Sequence, residues 1–210
     1  MLGGAVILGL LLSAVSGCAS PEFRYVASPD DNVVFKVPRA WSTLDPKKVA
    51  PDSAGSQAIR WLAFYDGSAT PKVQNAHLAS PASPLLVAET FALTAQDLAS
   101  IDDDALRNIA RPITKAAQAQ DALQRKAQGL PAQKIHVLVD EVVRTKHAAG
   151  VHVVFVTGEG ADEVRYNQVG VIDRKAGRAH FLVIKCSSAC YQANQSQIEA
   201  VAQSFTVKHP

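Results

Sequence analysis

The sequence predicts an α+β domain, an antiparallel sheet covered by helices, and three observations carry that reading. Four apolar, β-branched segments follow one another at 135–146, 151–157, 164–173 and 179–186. The links between them, Ala148-Ala149-Gly150, Gly158-Glu159-Gly160 and Lys175-Ala176-Gly177, are too short for a crossover, so successive strands must be antiparallel neighbours. Upstream, Leu98, Ile101, Ala105, Leu106, Ile109 and Ile113 recur at three- and four-residue spacing, the mark of an amphipathic helix. After the meander, Tyr191, Ile198, Val201 and Ala202 form a second apolar helix face, and 204–207 (SFTV) can return as a last strand. Strands, helices, a meander and a final helix in that order make a layered domain.

The remaining elements follow in chain order. Residues 19–26 read as a short tether, and 32–37 (NVVFKV) as a strand stopped by Pro38, which cannot continue a central ladder. Trp41 follows, and 44–56 reads as loop. A second strand at 58–65 ends at the turn signal Asp66-Gly67. The Ala-, Ser- and Pro-rich stretch 68–84 reads as an irregular loop and a candidate contact surface. A third strand covers 85–93. Asp102, Asp103 and Asp104 fall early in the helical pattern, where carboxylates favour the positive end of the helix dipole; the glycine turn and further oxygen ligands of a calcium loop are missing. Pro112 opens a second helical stretch to about Gln128, which Gly129 and Pro131 end.

At 210 residues and 22.3 kDa the chain has room for one substantial domain, and 48% hydrophobic residues supply an ample core. A formal charge of +2 with no basic stripe argues against nucleic-acid binding.

Residues 5–14 (AVILGLLLSA) are apolar but too short to span a bilayer, a length that fits the core of an export signal. Val15-Ser16-Gly17-Cys18 resembles the lipobox of bacterial lipoproteins: an aliphatic residue, two small residues, then cysteine. The pattern has a chemical cause, since diacylglycerol transfer needs an accessible thiol and the peptidase needs small side chains before it. The expected organisation is therefore a signal peptide at 1–17, a lipidated Cys18 with a short tether to 29, and a globular domain at 30–210. No Lys or Arg precedes Cys18, a departure from the usual positive leader. Each buried methylene contributes about 0.8 kcal/mol, so a diacylated cysteine is a stable anchor where one chain is marginal. The expected location is the cell membrane, lipid-anchored on its extracytoplasmic face. Ala19 after the cysteine permits sorting to the outer membrane in a two-membrane cell.

Two stretches resemble the PsbP-like family, which includes the Mog-type Ran-binding proteins and the LpqN-type lipoproteins of actinobacteria. Val34-Phe35-Lys36-Val37-Pro38-Arg39-Ala40-Trp41 is similar to the family's opening strand, which leads through a proline into a tryptophan. At the other end a strand at 181–186 leads to a cysteine and a tyrosine, a helix with Ile198, and Ser204-Phe205-Thr206-Val207. The resemblance implies an α-β-α sandwich with a central antiparallel sheet flanked by helices. By analogy it favours a binding or assembly module over an enzyme.

The candidate chemistry is sparse. Cys186 and Cys190 form the even pair of an exported chain and are most simply a disulfide, with a copper or redox pair and two free thiols as alternatives. Redox motifs usually place two residues between the cysteines, not three. His136, His147, His152 and His180 lie on or near the strands, and His136 could face His152 across a hairpin. None has the helical spacing of a zinc pair, so no metal ligand is assigned. No G-x-S-x-G elbow, S-x-x-K or phosphate-cradling loop occurs, so no catalytic residue and no cofactor is assigned. Trp41 and Trp61 read as core, the alternative being that one lines an apolar groove. The expected function is a membrane-anchored, non-catalytic binding or scaffold module with an envelope protein or glycolipid as partner. A carrier of a small apolar ligand or lipid is second, and an envelope hydrolase third.

Overall fold

The structure, a computed structural model, describes residues 23–208 apart from 29, 31, 56 and 57. The leader and Cys18 lie outside the described residues.

The long strands build a seven-stranded antiparallel sheet. Its members are β3 (Ser42–Leu44), β4 (Ile59–Asp66), β5 (Leu85–Ala92), β6 (Ile135–Arg144), β7 (Ala149–Thr157), β8 (Val164–Asp173) and β9 (Arg178–Ser187). Their spatial order is β3-β4-β5-β9-β8-β7-β6, so the predicted meander forms one half of the sheet and β9 joins it to the other. A smaller sheet contains β1 (Phe23–Ala27), β2 (Val33–Pro38) and β10 (Thr206–Val207), with β2 central. The stretch read as a tether thus begins the fold: Phe23 to Ala27 pairs with Pro38 to Val34. Five residues with no strong alternation gave that strand little signal.

Alternation along the strands sorts the side chains. On one face Ala63, Tyr65, Leu86, Ala88, Leu182, Ile184 and Val171 meet Phe35 and Val37 of the small sheet, Trp41, and the helix α5 (Ser188–Gln203). Phe35 is fully buried and packs edge-on against Trp61 and Tyr65. Both tryptophans therefore belong to this core: Trp41 is buried and Trp61 packs against it. Helix α5 lies on β8, β9 and β2, closing this layer. Cys186, at the end of β9, is disulfide-bonded to Cys190 in the first turn of α5. The Ser187 hydroxyl caps the same turn by accepting from Cys190 N.

The opposite face carries Val151, Val153, Phe155, Val164, Tyr166, Ile172, Phe181 and Val183. Its cover is made by α2 (Ala95–Ser100), α3 (Asp103–Arg107) and the chain that follows. The two outer layers on a central sheet make the α-β-α sandwich, with the small sheet as an addition to one layer. The single helix predicted through 98–113 is broken, and the aspartates are the reason. Thr94 and Asp97 form a capping box that starts α2. Asp102 then accepts from Ala105 N and starts a new helix, its side chain competing with the backbone bond that would have continued the old one. The dipole reading of Asp103 and Asp104 stands, since both lie in the first turn of α3.

The next helix, α4 (Lys115–Ala127), begins three residues after Pro112, with Thr114 as its cap. Asn108 and Thr114 exchange two hydrogen bonds of 3.0 Å, and these close the intervening loop and exclude it from the helix. The stretch 44–56 is also more ordered than predicted: Asp45 caps the short α1 (Pro46–Val49), and a 3-10 turn follows at Pro51–Gly55.

The two ends of the sheet differ. Phe23, Trp41, Gly67, Pro84, Gly158 and Ser187 gather at one, here termed the near end. The turns at 28–32, 145–148 and 174–177 gather at the far end, where Arg178 reaches the carbonyl of Asp30.

Candidate binding cleft

The second face is only partly covered. Over β4, β5, β9 and β8 the cover stops at Ile109–Arg111, leaving a cleft of about 240 Å³ that runs inward from the near end. Its floor is Phe64, Val87, Val183 and Tyr166, neighbours across the pleat on four strands. Two charged side chains project from the same face, Glu89 of β5 and Lys185 of β9, and Arg111 stands on the rim.

Gln168 positions that rim. Its side chain is fully buried and clamps the chain after α3: Nε2 donates to Leu106 O at 2.6 Å, and Oε1 accepts from Ala110 N at 3.1 Å. Buried backbone groups leaving a helix need such partners, and here a strand side chain supplies them. Leu106, also fully buried, sits over Gly170, where an added Cβ would lie 3.5 Å from Leu106 Cβ and 3.1 Å from the Phe181 ring. Arg107 braces the same turn with an ion pair to Asp140 of β6 at 3.0 Å and another to Asp104.

The loop 68–84 bounds the cleft from the near end, and a buried carboxylate pins it. Asp66 accepts from Ser68 N at 2.8 Å, Asn75 Nδ2 at 2.7 Å and Lys72 N at 3.2 Å. Burial alone would push this carboxyl up, but together the bonds from Ser68, Asn75 and Lys72 outweigh it and hold the group below the ordinary carboxylate range. Lys185 Nζ donates to Leu78 O at 3.0 Å and ties the loop to the sheet.

Burial acts on both titratable charges of the cleft. Burial raises the Glu89 carboxyl, and no hydrogen bond or ion pair links it to another described residue. Burial, then the nearby charge of Arg111, lowers the Lys185 ammonium. The Arg111 guanidinium lies 5.6 Å from the Tyr166 ring, which stacks on Phe155 at 4.8 Å. Glu89 and Lys185 are four residue positions apart along the sheet, about 13 Å. The result is an apolar floor with an acid at its inner end and two bases at its mouth. A wider, open trough adjoins it beyond Arg111 and Tyr166, lined by Arg125, Pro131, Lys134 and Gly158.

The residues singled out in the sequence lie elsewhere. The Cys186–Cys190 bond is on the other face of the sheet. His136 pairs with Val156 and His152 with Glu141, so the two histidines do not face each other; the bulge at Val137/Val139 moves the register by one. His152 Nε2 instead lies 3.0 Å from Asn167 Oδ1, and Asn167 donates to the Tyr191 hydroxyl beneath α5. His180 is fully buried with Nδ1 3.0 Å from Thr90 Oγ1, and His147 is in the far-end turn. Among the described residues no three His, Cys, Asp or Glu side chains gather as metal ligands. Sequence reasoning missed Glu89, Lys185, Arg111 and Gln168. The signal was available for the first two, each a charge interrupting an apolar strand at an inward-facing position (LLVAETFA and FLVIKC).

Neither a protein-family model nor a curated protein matches the chain by sequence. Solved structures do match. The chain is similar to the solution structure of cyanobacterial PsbP (CyanoP) from Synechocystis sp. PCC 6803, with TM-score 0.52 and 12% identity over 94% of this chain and 99% of that one. It is also similar to LpqN of Mycobacterium tuberculosis, described as involved in cell envelope biogenesis, at TM-score 0.47 and 12% identity over 90% and 91% of the two chains. The Ran-binding protein Mog1p of Saccharomyces cerevisiae gives TM-score 0.44 and 10% identity over 90% and 96%. The PsbP likeness, nearly complete in both chains, shows that the fold implied by the two terminal residue patterns is the fold of this chain.

Proposed function

We propose that the chain is a lipid-anchored, non-catalytic binding module of the cell envelope, and that the cleft over β5 and β9 is its contact site. The cleft is the observation that carries this reading. Its floor is apolar and its ends carry opposite charge, the pattern of a recognition site. A complementary group is apolar in the middle with a base or hydrogen-bond donor at one end and an acid at the other. The anchor is supported by the lipobox-like Val15-Ser16-Gly17-Cys18.

Size separates this reading from the carrier. Small-molecule pockets run to roughly 300–1,000 Å³. The cleft itself, about 240 Å³, accepts a side chain or one segment of a ligand; a whole lipid would also have to lie along the open trough beyond Arg111, unenclosed, which favours contact over carriage.

Intact-mass analysis of the protein purified from native membranes tests the anchor, with an acylated N-terminal Cys18 expected. Met1 retained with an unmodified Cys18 would overturn it. Native mass spectrometry of the same material, beside Arg111→Ala/Glu89→Gln, tests the cleft: bound mass lost in the variant supports the site, and bound mass unchanged in it removes the site.

A further inference from the structure

Chain length and the position of Phe23 together restrict how an anchored domain can stand. From Cys18 to Phe23 there are five Cα-to-Cα steps, at most about 18 Å however the chain runs. Phe23 begins β1 at the near end of the sheet, beside Pro38 in the small sheet, with Arg24 bonded to Trp41 O at 2.8 Å. An acylated Cys18 therefore holds the near end within one short tether of the headgroups, while the far-end turns stand a full strand length away.

The near end is built differently from an ordinary loop surface. Leu78 and Leu130 are each more than two-fifths exposed, Leu78 on the loop tied to Lys185 and Leu130 next to Pro131 of the trough, while Ile109, exposed to a similar degree, lines the cleft itself. Lys72 of the loop, whose backbone amide is bonded to Asp66, lies at this end with no ion pair to another described residue. Three of the acids here are already engaged by the protein, and Asp162 in the trough is not, among the described residues. Asp66 holds the loop, Glu159 pairs with Lys134, and Glu163 accepts from Ser188. Exposed leucines beside an unpaired lysine suit an interfacial contact, the apolar groups entering the headgroup boundary while the ammonium stays at its surface.

We infer that the domain docks end-on against the lipid bilayer, with Leu78 and Leu130 in the interfacial layer, so that the binding cleft opens at the membrane surface. This rests on the anchor proposed above, and it limits what reaches the cleft to groups presented at that surface.

The test uses the acylated protein from native membranes, reconstituted into vesicles of phosphatidylcholine and phosphatidylglycerol. Spin labels are placed one at a time at Leu78→Cys and Leu130→Cys, and at Lys175→Cys and Lys146→Cys on the far end. Docking predicts a several-fold loss of collision with a water-soluble relaxer at the two near-end labels on reconstitution, with the far-end labels unchanged. Leu78→Glu/Leu130→Glu, labelled at Ala79→Cys in the trough beside Leu78, should show more collision than the same label without the two substitutions, while remaining acylated and vesicle-bound. Acylated protein with all four labels equally accessible, or with only the far end protected, overturns the docking and leaves the anchor intact. A preparation whose mass shows no acyl group overturns the anchor and the docking with it.

Discussion

The two faces of the central sheet are made from the same strands and treat their side chains in opposite ways. On the core face the small sheet, Trp41 and α5 cover the sheet up to its β6 edge, and even buried polar groups are absorbed: Asn167 bridges His152 to Tyr191, and Thr90 meets His180. On the cleft face the cover is two short helices and a loop clamped by one glutamine, and it stops before β4 and β5. Burial of apolar surface is the main source of stability, and it is concentrated on the first face. The second gives up part of that burial and keeps charges half out of water. Stability and the open cleft proposed for recognition are thus separated across the thickness of one sheet.

That separation can be broken from either side. The largest effect is expected on the core face. Phe35→Ala removes a fully buried ring that packs against Trp61, Tyr65 and Phe205, and should cost about 3–5 kcal/mol in urea unfolding. Gln168→Leu comes next, because it orphans the carbonyl of Leu106 and the amide of Ala110, at about 1–3 kcal/mol for each buried group left unpaired. Its second signature is local: hydrogen exchange should accelerate at 106–111 while the strands stay protected. Uniform acceleration would mean that the clamp serves the whole fold rather than the cleft rim. Reducing the Cys186–Cys190 bond, which closes a five-residue loop, should cost about 2 kcal/mol by the chain-entropy relation. Reduction that leaves the urea midpoint unchanged would show that packing of Tyr191 and Ile198 alone fixes α5.

The same asymmetry explains what could be read from the sequence. The meander, the last helix and the strand at 85–92 were legible because period-2 and period-3.6 patterns of Val, Ile and Leu are strong where burial is complete. The cover of the cleft face was not. Its helices are held by caps and by Gln168, so the apolar spacing through 98–113 continues across a break that only the hydroxyl and carboxylate bonds of Thr94, Asp102 and Asn108 define. The cysteine pair was legible from its spacing. Glu89 and Lys185 were visible as interruptions of apolar strands, but their meeting in one cleft depends on β5 pairing with β9, ninety residues away, which local pattern does not encode.

The smallest effect compares two carboxylates at neighbouring strands, Asp66 at the end of β4 and Glu89 within β5. Asp66 is held below the usual range by its hydrogen bonds, so its ionised form stabilises the fold. That contribution is present above the unfolded-state value of about 3.9 and is lost as pH falls through the lower folded-state value. Glu89 is raised by burial, and the sign reverses. The fold favours its neutral form, so its contribution is present below about 4.3 and is lost as pH rises through the higher folded-state value. Asp66→Asn should therefore destabilise the protein at neutral pH, by an amount that shrinks in acid. Glu89→Gln should instead stabilise it at neutral pH by less than about 1 kcal/mol, with no gain in acid. Urea midpoints across the acidic range separate the two. If Glu89→Gln destabilises at neutral pH, the carboxylate is held by a partner in solution, and the cleft is a closed ion-paired site rather than one whose acid is kept open for a ligand.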